Sequence, residues 1–571
     1  IKKIWKISTK DLISSYTIYI FILIFNTLFE ILSLLYIFPL LDFLVLNQTS
    51  AVTKFFFEII NKFNLFSQKD EIFLVIVFFI AILTIKFFFN FLNIFYTQKL
   101  QLQLRKKLSF LLIERYLERQ YRFFININSS TLIRNIFQEV PRFILGVATN
   151  IFNLFSEFIL ITSILLVLFV YDFKSTLVVF LLISFFGVIF LFFSKRLISS
   201  LAKKRIKFDG KYLKNIKEIF DNIKIVKISG TEKFFLNLAR NNATVSFNSH
   251  FFYNIVAQSP RVIFELILIF IVFFVLIINI SNDKIIYTLA IYSVSSLRLI
   301  PSISKVINSI SNIRFDRPSL DIIFENIKPR KKVSIETSKN QINLNFKKHI
   351  QLKNIKFSYN KKNKILDGIN LSLKKNELTC LIGESGSGKS TLVDIISGIL
   401  IPDSGNILID NKIKINQKNI NSWKNMIGYM PQSSNLLDMS IKDNITLGNY
   451  KNNKFDNFNL KKAIRDAELL PLIKKLNRGI NTAVGDKGIK ISGGEMQRVA
   501  LARTLYSNSE IIILDEATSS LDVNTENKIL KTLKKLKNKT ILFITHRTNN
   551  LKNFNKIYKI NNSKSYVVLK N

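Results

Sequence analysis

The stretch "GESGSGKST" at 383–391 places glycines, serines and one lysine in the spacing GxxxxGK[ST]. It follows the apolar run "LTCLI" and precedes the helix-like "LVDIISGIL". In that strand–loop–helix setting the backbone N–H groups of such a loop surround a β-phosphate. Gly383, Ser385, Gly386, Ser387, Gly388 and Thr391 would form the cradle, Lys389 would neutralise the β- and γ-oxygens, and Ser390 would ligate Mg2+.

A second apolar run, "IIILDEA" at 511–517, ends in two carboxylates. Asp515 is expected to hold Mg2+ directly or through water, and Glu516 to polarise an attacking water as general base. "THR" follows the next apolar run, so His546 stands where a strand tip could sense a γ-phosphate. One further turn has anion-binding form. "ISGGEMQRVALAR" at 491–503 opens a helix on Ser492, Gly493 and Gly494, where unpaired N–H groups and the positive dipole end favour a phosphate.

These residues must be positioned by an α/β domain. Beyond a polar stretch at 328–347, short apolar strands such as "NILID", "IIILDE" and "TILFITH" alternate with helical patterns and glycine turns, the signature of a mainly parallel sheet. The first part of the chain has a different grammar. With 571 residues, a 49% hydrophobic fraction and 53 phenylalanines, the chain exceeds one core and is too apolar for an ordinary soluble enzyme. Six apolar runs, at 16–46, 72–96, 146–171, 175–193, 262–280 and 285–307, approach or exceed the ~20 residues needed to cross a bilayer. The first contains Pro39 and is expected to kink or to run past the bilayer.

The two long connections between runs two and three and between runs four and five are rich in Arg and Lys, while the alternate ones, such as "DFK" and "SNDK", are short. The positive-inside rule then places both termini, the long loops and the α/β domain in the cytoplasm. The long loops carry apolar residues at helical spacing and read as helical extensions. The net charge of +42 is spread along the chain and gathers on no base-reading motif, so no nucleic-acid partner is expected. The lone Cys380 excludes an internal disulfide framework. "IKKIWKISTK" lacks the short apolar core and cleavage site of a secretory signal, and the missing initial methionine suggests that a few residues precede Ile1.

Taken in order, "GESGSGKST", "YMPQ", "ISGGEMQR", "ILDEATSSLD" and "ITHR" resemble the nucleotide-binding domain of ABC transporters. The resemblance covers about 348–571 and implies an ATP hydrolase using ATP and Mg2+. It implies that Tyr359 stacks on adenine, that Gln432 senses Mg2+ and the membrane domain, and that Asp522 lies at a dimer seam. It also implies that Ser492, Gly493 and Gly494 hold the γ-phosphate of the opposing domain's nucleotide, which makes the working unit a homodimer with two shared ATP sites. The departure is Glu495, where the family usually has glutamine; a charge there opposes phosphate but gains from the helix dipole.

Six helices ahead of one such domain resemble the exporter half of the family. The expected architecture is an α-helical transmembrane domain at 1–327, six helices with long cytoplasmic extensions, a linker at 328–347, and an α/β P-loop ABC ATPase domain at 348–571. "TLIRNIFQEVPRF" and "NIKEIFDNIKIVKISGTEKFF" resemble its coupling loops, and "TAVGDKG" the segment exporters set against them. "LFEILSLLYIFPLLDF" and "AQSPRVIFELI" look most like flippases of lipid-linked oligosaccharides, in the bacterial inner membrane. Intramembrane ions are costly and usually face a cavity or a partner. Lys86, Arg261 and Arg298 are therefore a cationic wall for an anionic amphipathic substrate, or ion-pair partners of acids such as Glu30, Glu157 and Glu265, or ends that snorkel to the interface. Export of drugs, peptides, phospholipid or lipid A stays open on the same architecture. So do an ATP-gated channel and, against the six apolar runs, an ABC ATPase acting on DNA or ribosomes.

Overall fold

The computed structural model describes residues 13–36, 71–171, 173–278, 285–328, 344, 346–359, 364–447, 455–485, 488–547, 551–561 and 564–568. The chain forms two compact units, Ile1–Arg119 with Ile127–Pro329, and Gln120–Asn126 with Arg330–Asn571. The short segment Gln120–Asn126 groups with the second unit.

The first unit is helical. Its long helices are Ile13–Leu35, Glu71–Leu117, Thr149–Tyr171, Phe173–Asp221, Glu232–Ile278 and Ile285–Ile327. Among the described residues, four stretches are long and apolar enough to cross a membrane: 14–33, 76–117, 129–170 and 173–221. The expected runs at 262–280, as far as Ile278, and 285–307 fall on the helices Glu232–Ile278 and Ile285–Ile327, while 279–280 and Pro39 lie outside the described residues. The helix Glu71–Leu117 has 47 residues, a length of ~70 Å, more than twice a hydrocarbon core. Helices of this kind supply the extensions that the basic loops foretold. Along their apolar stretches large apolar side chains face outward, with Phe87 71% and Phe193 73% exposed, a side that a lipid environment would cover.

Away from that surface the helices are joined by charge. Glu139 is fully buried and meets Arg134, Arg142 and Arg205 at 3.6, 3.5 and 3.9 Å. Arg142 also pairs with Asp209 at 2.7 Å, and the buried Arg205 pairs with Asp316. Ser319 donates to Glu139 at 2.6 Å, and Arg205 lies over the Phe315 ring at 4.7 Å. Three cations and three carboxylates thus neutralise one another inside the bundle, as buried charges must. Gly146 permits the packing: a Cβ there would stand 1.9 Å from the Asp316 carboxylate. The backbone bearing Glu139 and Gly146 is π-helical at Asn135–Glu139 and Phe143–Ala148.

The second unit contains two sheets. Strands β1 (His349–Phe357), β2 (Leu366–Lys374), β4 (Ser404–Ile409) and β5 (Ile413–Lys414) form an antiparallel sheet in the order β2-β1-β4-β5. Strands β3 (Leu378–Gly383), β6 (Ile427–Met430), β7 (Ile511–Asp515), β8 (Thr540–Ile544), β9 (Lys556–Asn561) and β10 (Lys564–Val568) form the second, in the order β10-β9-β3-β8-β7-β6. Within it β9, β3, β8, β7 and β6 run parallel. Every residue of β7 and of β8 is buried, which is why "IIILD" and "TILFI" read as continuous apolar runs without alternation. Parallel pairing also sends the ends of β3, β8, β7 and β6 out of the same sheet edge, where α/β proteins build their sites.

Candidate functional site

Each of those four strand ends delivers an expected residue. β3 runs into the loop 383–391, β8 into His546, β7 into Asp515 and Glu516, and β6 into Gln432. The loop turns on left-handed glycines, Gly386 at φ 82 and Gly388 at φ 96, and Gly388 is the N-cap of the helix Lys389–Ile396. A Cβ on Gly388 would meet Leu366 at 2.8 Å and the Ile365 carbonyl at 3.2 Å, so strain and crowding both require glycine. The buried Lys389 folds back over the loop, donating to the carbonyls of Gly383 at 2.8 Å and Glu384 at 2.7 Å. Its ammonium thus sits within the cradle. Ser390 and Thr391 occupy the first helical turn, with Gly383, Ser385 and Ser387 in the strand end and the loop.

Across the cradle, Glu516 has φ 50, a left-handed backbone that a non-glycine residue rarely takes. Its N–H donates to the Ile544 carbonyl at 3.0 Å. Its carboxylate accepts from Gln432 Nε2 at 3.0 Å and lies 3.4 Å from His546 Nδ1. Gln432, Glu516 and His546 therefore form one cluster. Asp515, beside it, is 3% exposed. Burial, with help from the charges of Glu516 and Asp394, pushes its carboxyl up to about 6 against the pull of Lys389. Burial likewise raises Asp394 to about 6.

Asp394 was not anticipated from the sequence. It lies in "LVDII", where its neighbours suggest only a helix face. Gln497 is a second such residue. It donates to Ser519 Oγ at 2.8 Å and accepts from the Ser520 N–H at 2.9 Å. The turn at 492–494 is thereby tied to the chain leaving β7.

That turn caps the helix Gly493–Tyr506 through Ser492. Glu495 Oε2 accepts from the Ser492 N–H at 2.8 Å, and Ser492 Oγ from the Glu495 N–H at 3.3 Å, a reciprocal capping box. Asp522 caps the helix Val523–Lys535, accepting from the Thr525 N–H at 2.9 Å; that bond holds its carboxyl below the usual range. Tyr359 follows β1, with its hydroxyl 3.3 Å from Thr391 Oγ1 and its ring edge-on to Phe357 at 5.1 Å.

The three expected intramembrane cations lie in the first unit. Lys86 donates to Ser33 Oγ at 3.0 Å, Arg298 pairs with Glu30, and Arg261 pairs with Glu265 one turn along its own helix at 3.0 Å. Ser33, which Lys86 meets, bonds the Glu30 carbonyl, and Glu30 pairs with Arg298, so Lys86 and Arg298 adjoin the same turn, while Arg261 stands with a different partner. Glu157, the third acid, pairs with Lys305 at 2.5 Å.

Residues 366–519 match the ABC transporter family, and residues 16–303, just over half of the chain, match the ABC transporter transmembrane region. The alpha-hemolysin translocation ATP-binding protein HlyB of Escherichia coli O157:H7 is 39% identical over 218 residues, 37% of this chain and 30% of that protein. The leukotoxin export ATP-binding protein LtxB of Aggregatibacter actinomycetemcomitans is 39% identical over 213 residues, 36% of this chain and 29% of that protein. These matches span less than a third of the relatives' own length. In fold, the chain is similar to a bacterial Atm1-family ABC exporter solved with ATP bound, with a TM-score of 0.81 at 21% identity over 98% of this chain and 95% of the other. The chain belongs to the ABC transporter family, with its helical transmembrane region and its α/β nucleotide-binding domain on one polypeptide.

Proposed function

We propose that the protein hydrolyses ATP to export or flip an amphipathic substrate across the bacterial inner membrane, working as a homodimer by alternating access. The observation that carries the ATPase part is the convergence of the loop 383–391, Asp515–Glu516, Gln432 and His546 on one edge of the parallel sheet. ATP would lie along the loop with its phosphates on the backbone N–H groups, and Lys389 would exchange its two carbonyl partners for phosphate oxygens. Glu516 is set to accept the proton of the attacking water; Gln432 holds its carboxylate by a hydrogen bond, and His546 Nδ1 stands 3.4 Å from it. The donors Ser390, Asp515 and Gln432 are all hard oxygen groups. They suit Mg2+, which takes few protein ligands, fills its shell with water and phosphate oxygens, and would there neutralise the β- and γ-phosphates. Ser492, Gly493 and Gly494, with Asp522 at the seam, would complete the site of a second copy.

Both termini and the nucleotide-binding domain face the cytoplasm in this reading, since the basic residues gather in the two long loops. For the substrate we favour an anionic head group on a lipid tail, of which a lipid-linked oligosaccharide is the instance. Lys86, bonded to Ser33, and Arg298, paired with Glu30 one turn away, support it. The names of the toxin-exporting relatives favour a second reading, export of a polypeptide. Reconstitution into vesicles with lipid-linked oligosaccharides, phospholipids, hydrophobic drugs and unfolded polypeptide, scoring ATPase stimulation and translocation, separates them. Stimulation by polypeptide alone would reject the lipid reading.

A further inference from the structure

Among the described residues before 330, Gln120–Asn126 belongs to the second unit. It forms a single helical turn, Tyr121–Ile125, and Arg122 projects from it onto the end of β1. Arg122 Nη2 donates to the Tyr359 carbonyl at 2.8 Å and to the Ser358 carbonyl at 3.1 Å. The guanidinium carbon lies 5.7 Å from the centre of the Phe357 ring, and Nη1 lies 3.8 Å from Asp403 Oδ1. Asp403 accepts the Ser358 N–H at 2.8 Å through its other oxygen.

The pairing of β1 ends at Lys356 with β4 and at Phe357 with β2. Ser358 and Tyr359 therefore lie past the ladder that orders the strand. Their backbone is held instead by two side chains, Asp403 on a donor and Arg122 on two acceptors. Backbone groups beyond a sheet need such partners to keep one conformation. Tyr359 is the residue whose ring would meet the base of the nucleotide, and its hydroxyl already rests near Thr391 on the phosphate-binding helix.

We propose that Arg122 is a positioning residue for the nucleotide base: by clamping the Ser358 and Tyr359 carbonyls while stacked on Phe357, it fixes the plane on which the purine lies. This rests on the reading of the loop 383–391 as an ATP site. A planar fork can face a ring and bond two carbonyls together; a lysine ammonium cannot do both. The base is bound alike before and during phosphoryl transfer, so losing the clamp raises KM and leaves kcat.

The test uses the full chain in detergent or nanodiscs. It compares wild type, Arg122→Ala, Arg122→Lys, Asp403→Ala, Tyr359→Ala and the Arg122→Ala/Tyr359→Ala double variant. ATPase kinetics and fluorescence titration with N-methylanthraniloyl-ATP are read for each, with inorganic tripolyphosphate as a base-free competitor. Stacking on an aromatic side chain limits the effect to roughly a hundredfold, and a loosened platform should cost about fivefold to tenfold. The expected result is that rise in KM and Kd for Arg122→Ala, with kcat within about twofold. Asp403→Ala should copy it, Arg122→Lys should recover it only in part, and tripolyphosphate affinity should not move. Arg122→Ala should add nothing to Tyr359→Ala. Equal weakening of tripolyphosphate, multiplying effects in the double variant, or a fall in kcat at constant KM would overturn the proposal while leaving the ATP site standing. A folded wild type that binds neither ATP nor tripolyphosphate would reject the ATP site itself, and the clamp with it.

Discussion

Glu495 turns its carboxylate back onto the N–H of Ser492 at 2.8 Å, and Ser492 returns the bond to the N–H of Glu495. The acidic residue at a position where glutamine is usual is therefore engaged with its own helix end. Glutamine closes the same box, so Glu495→Gln should change ATP turnover less than about twofold. Glu495→Ala, which opens it, should lower stability by about 1 kcal/mol. Steady-state ATPase and thermal melting of the two variants check this. A large rate gain in Glu495→Gln would mean that the charge acts on the nucleotide.

Glu516→Gln keeps the side-chain length and a hydrogen-bonding oxygen but removes the base. We expect ATP binding to persist, steady-state hydrolysis to fall by about 10²-fold or more, and the nucleotide-bound dimer to accumulate. His546→Ala should lose less, since its contact with Glu516 is longer than that of Gln432. Robust hydrolysis by Glu516→Gln would remove Glu516 from its role.

The half-buried Asp394 and the buried Asp515 make a pH prediction. Both carboxyls are raised to about 6 by burial, whereas unfolded carboxyls titrate near ~4. Between those limits the folded protein binds more protons than the unfolded chain, so nucleotide-free stability falls as pH rises through that window. Mg2+ competes with those protons, so its affinity should rise over the same interval. Thermal melting from pH 4.5 to 7, with and without MgATP, reads both. Asp515→Asn should flatten the dependence.

The edge of the parallel sheet was legible because strand, loop and helix follow one another in the sequence. "LTCLIGESGSGKS" and "IIILDE" carry their chemistry at the ends of apolar runs, and a parallel sheet brings such ends together. Arg122, Asp394 and Gln497 were hidden for the opposite reason. Arg122 reads as one basic residue among many in a loop, and its partners lie 236 and 237 positions away. Asp394 is half-buried and is distinguished only by its nearness to Asp515, which the sequence does not show. Gln497 stands in a motif whose glycines draw the attention, yet it is the residue that bonds Ser519 and Ser520. The ion pairs of Arg298 and Arg261 were foreseen as one of three readings, and periodicity alone could not choose between them.

The charge network around Glu139 should be intolerant of single losses. Glu139→Gln leaves Arg134, Arg142 and Arg205 short of a buried counter-charge, and breaking such a cluster costs about 3–5 kcal/mol. Melting in detergent should drop by several degrees or the protein should fail to express. Removing Arg205 and Asp316 together, as Arg205→Met with Asp316→Leu, should be milder than either alone.

Arg298→Ala should spare basal ATPase and abolish its stimulation by substrate if the cation meets the head group. If Arg298 serves only to neutralise Glu30, adding Glu30→Ala should restore what Arg298→Ala removes. Arg261, on a different partner, is expected to be independent of that cycle.

Cys380 lies fully buried on β3, its thiol pushed up to about 12 by burial, and no other cysteine exists in the chain. A thiol so protonated and enclosed is a poor nucleophile. Alkylating reagents and mild oxidants should therefore pass the native protein by, with turnover unchanged. Reporter groups can be attached through cysteines placed at will, in the natural background, so that any motion of this protein during turnover can be followed without first redesigning it.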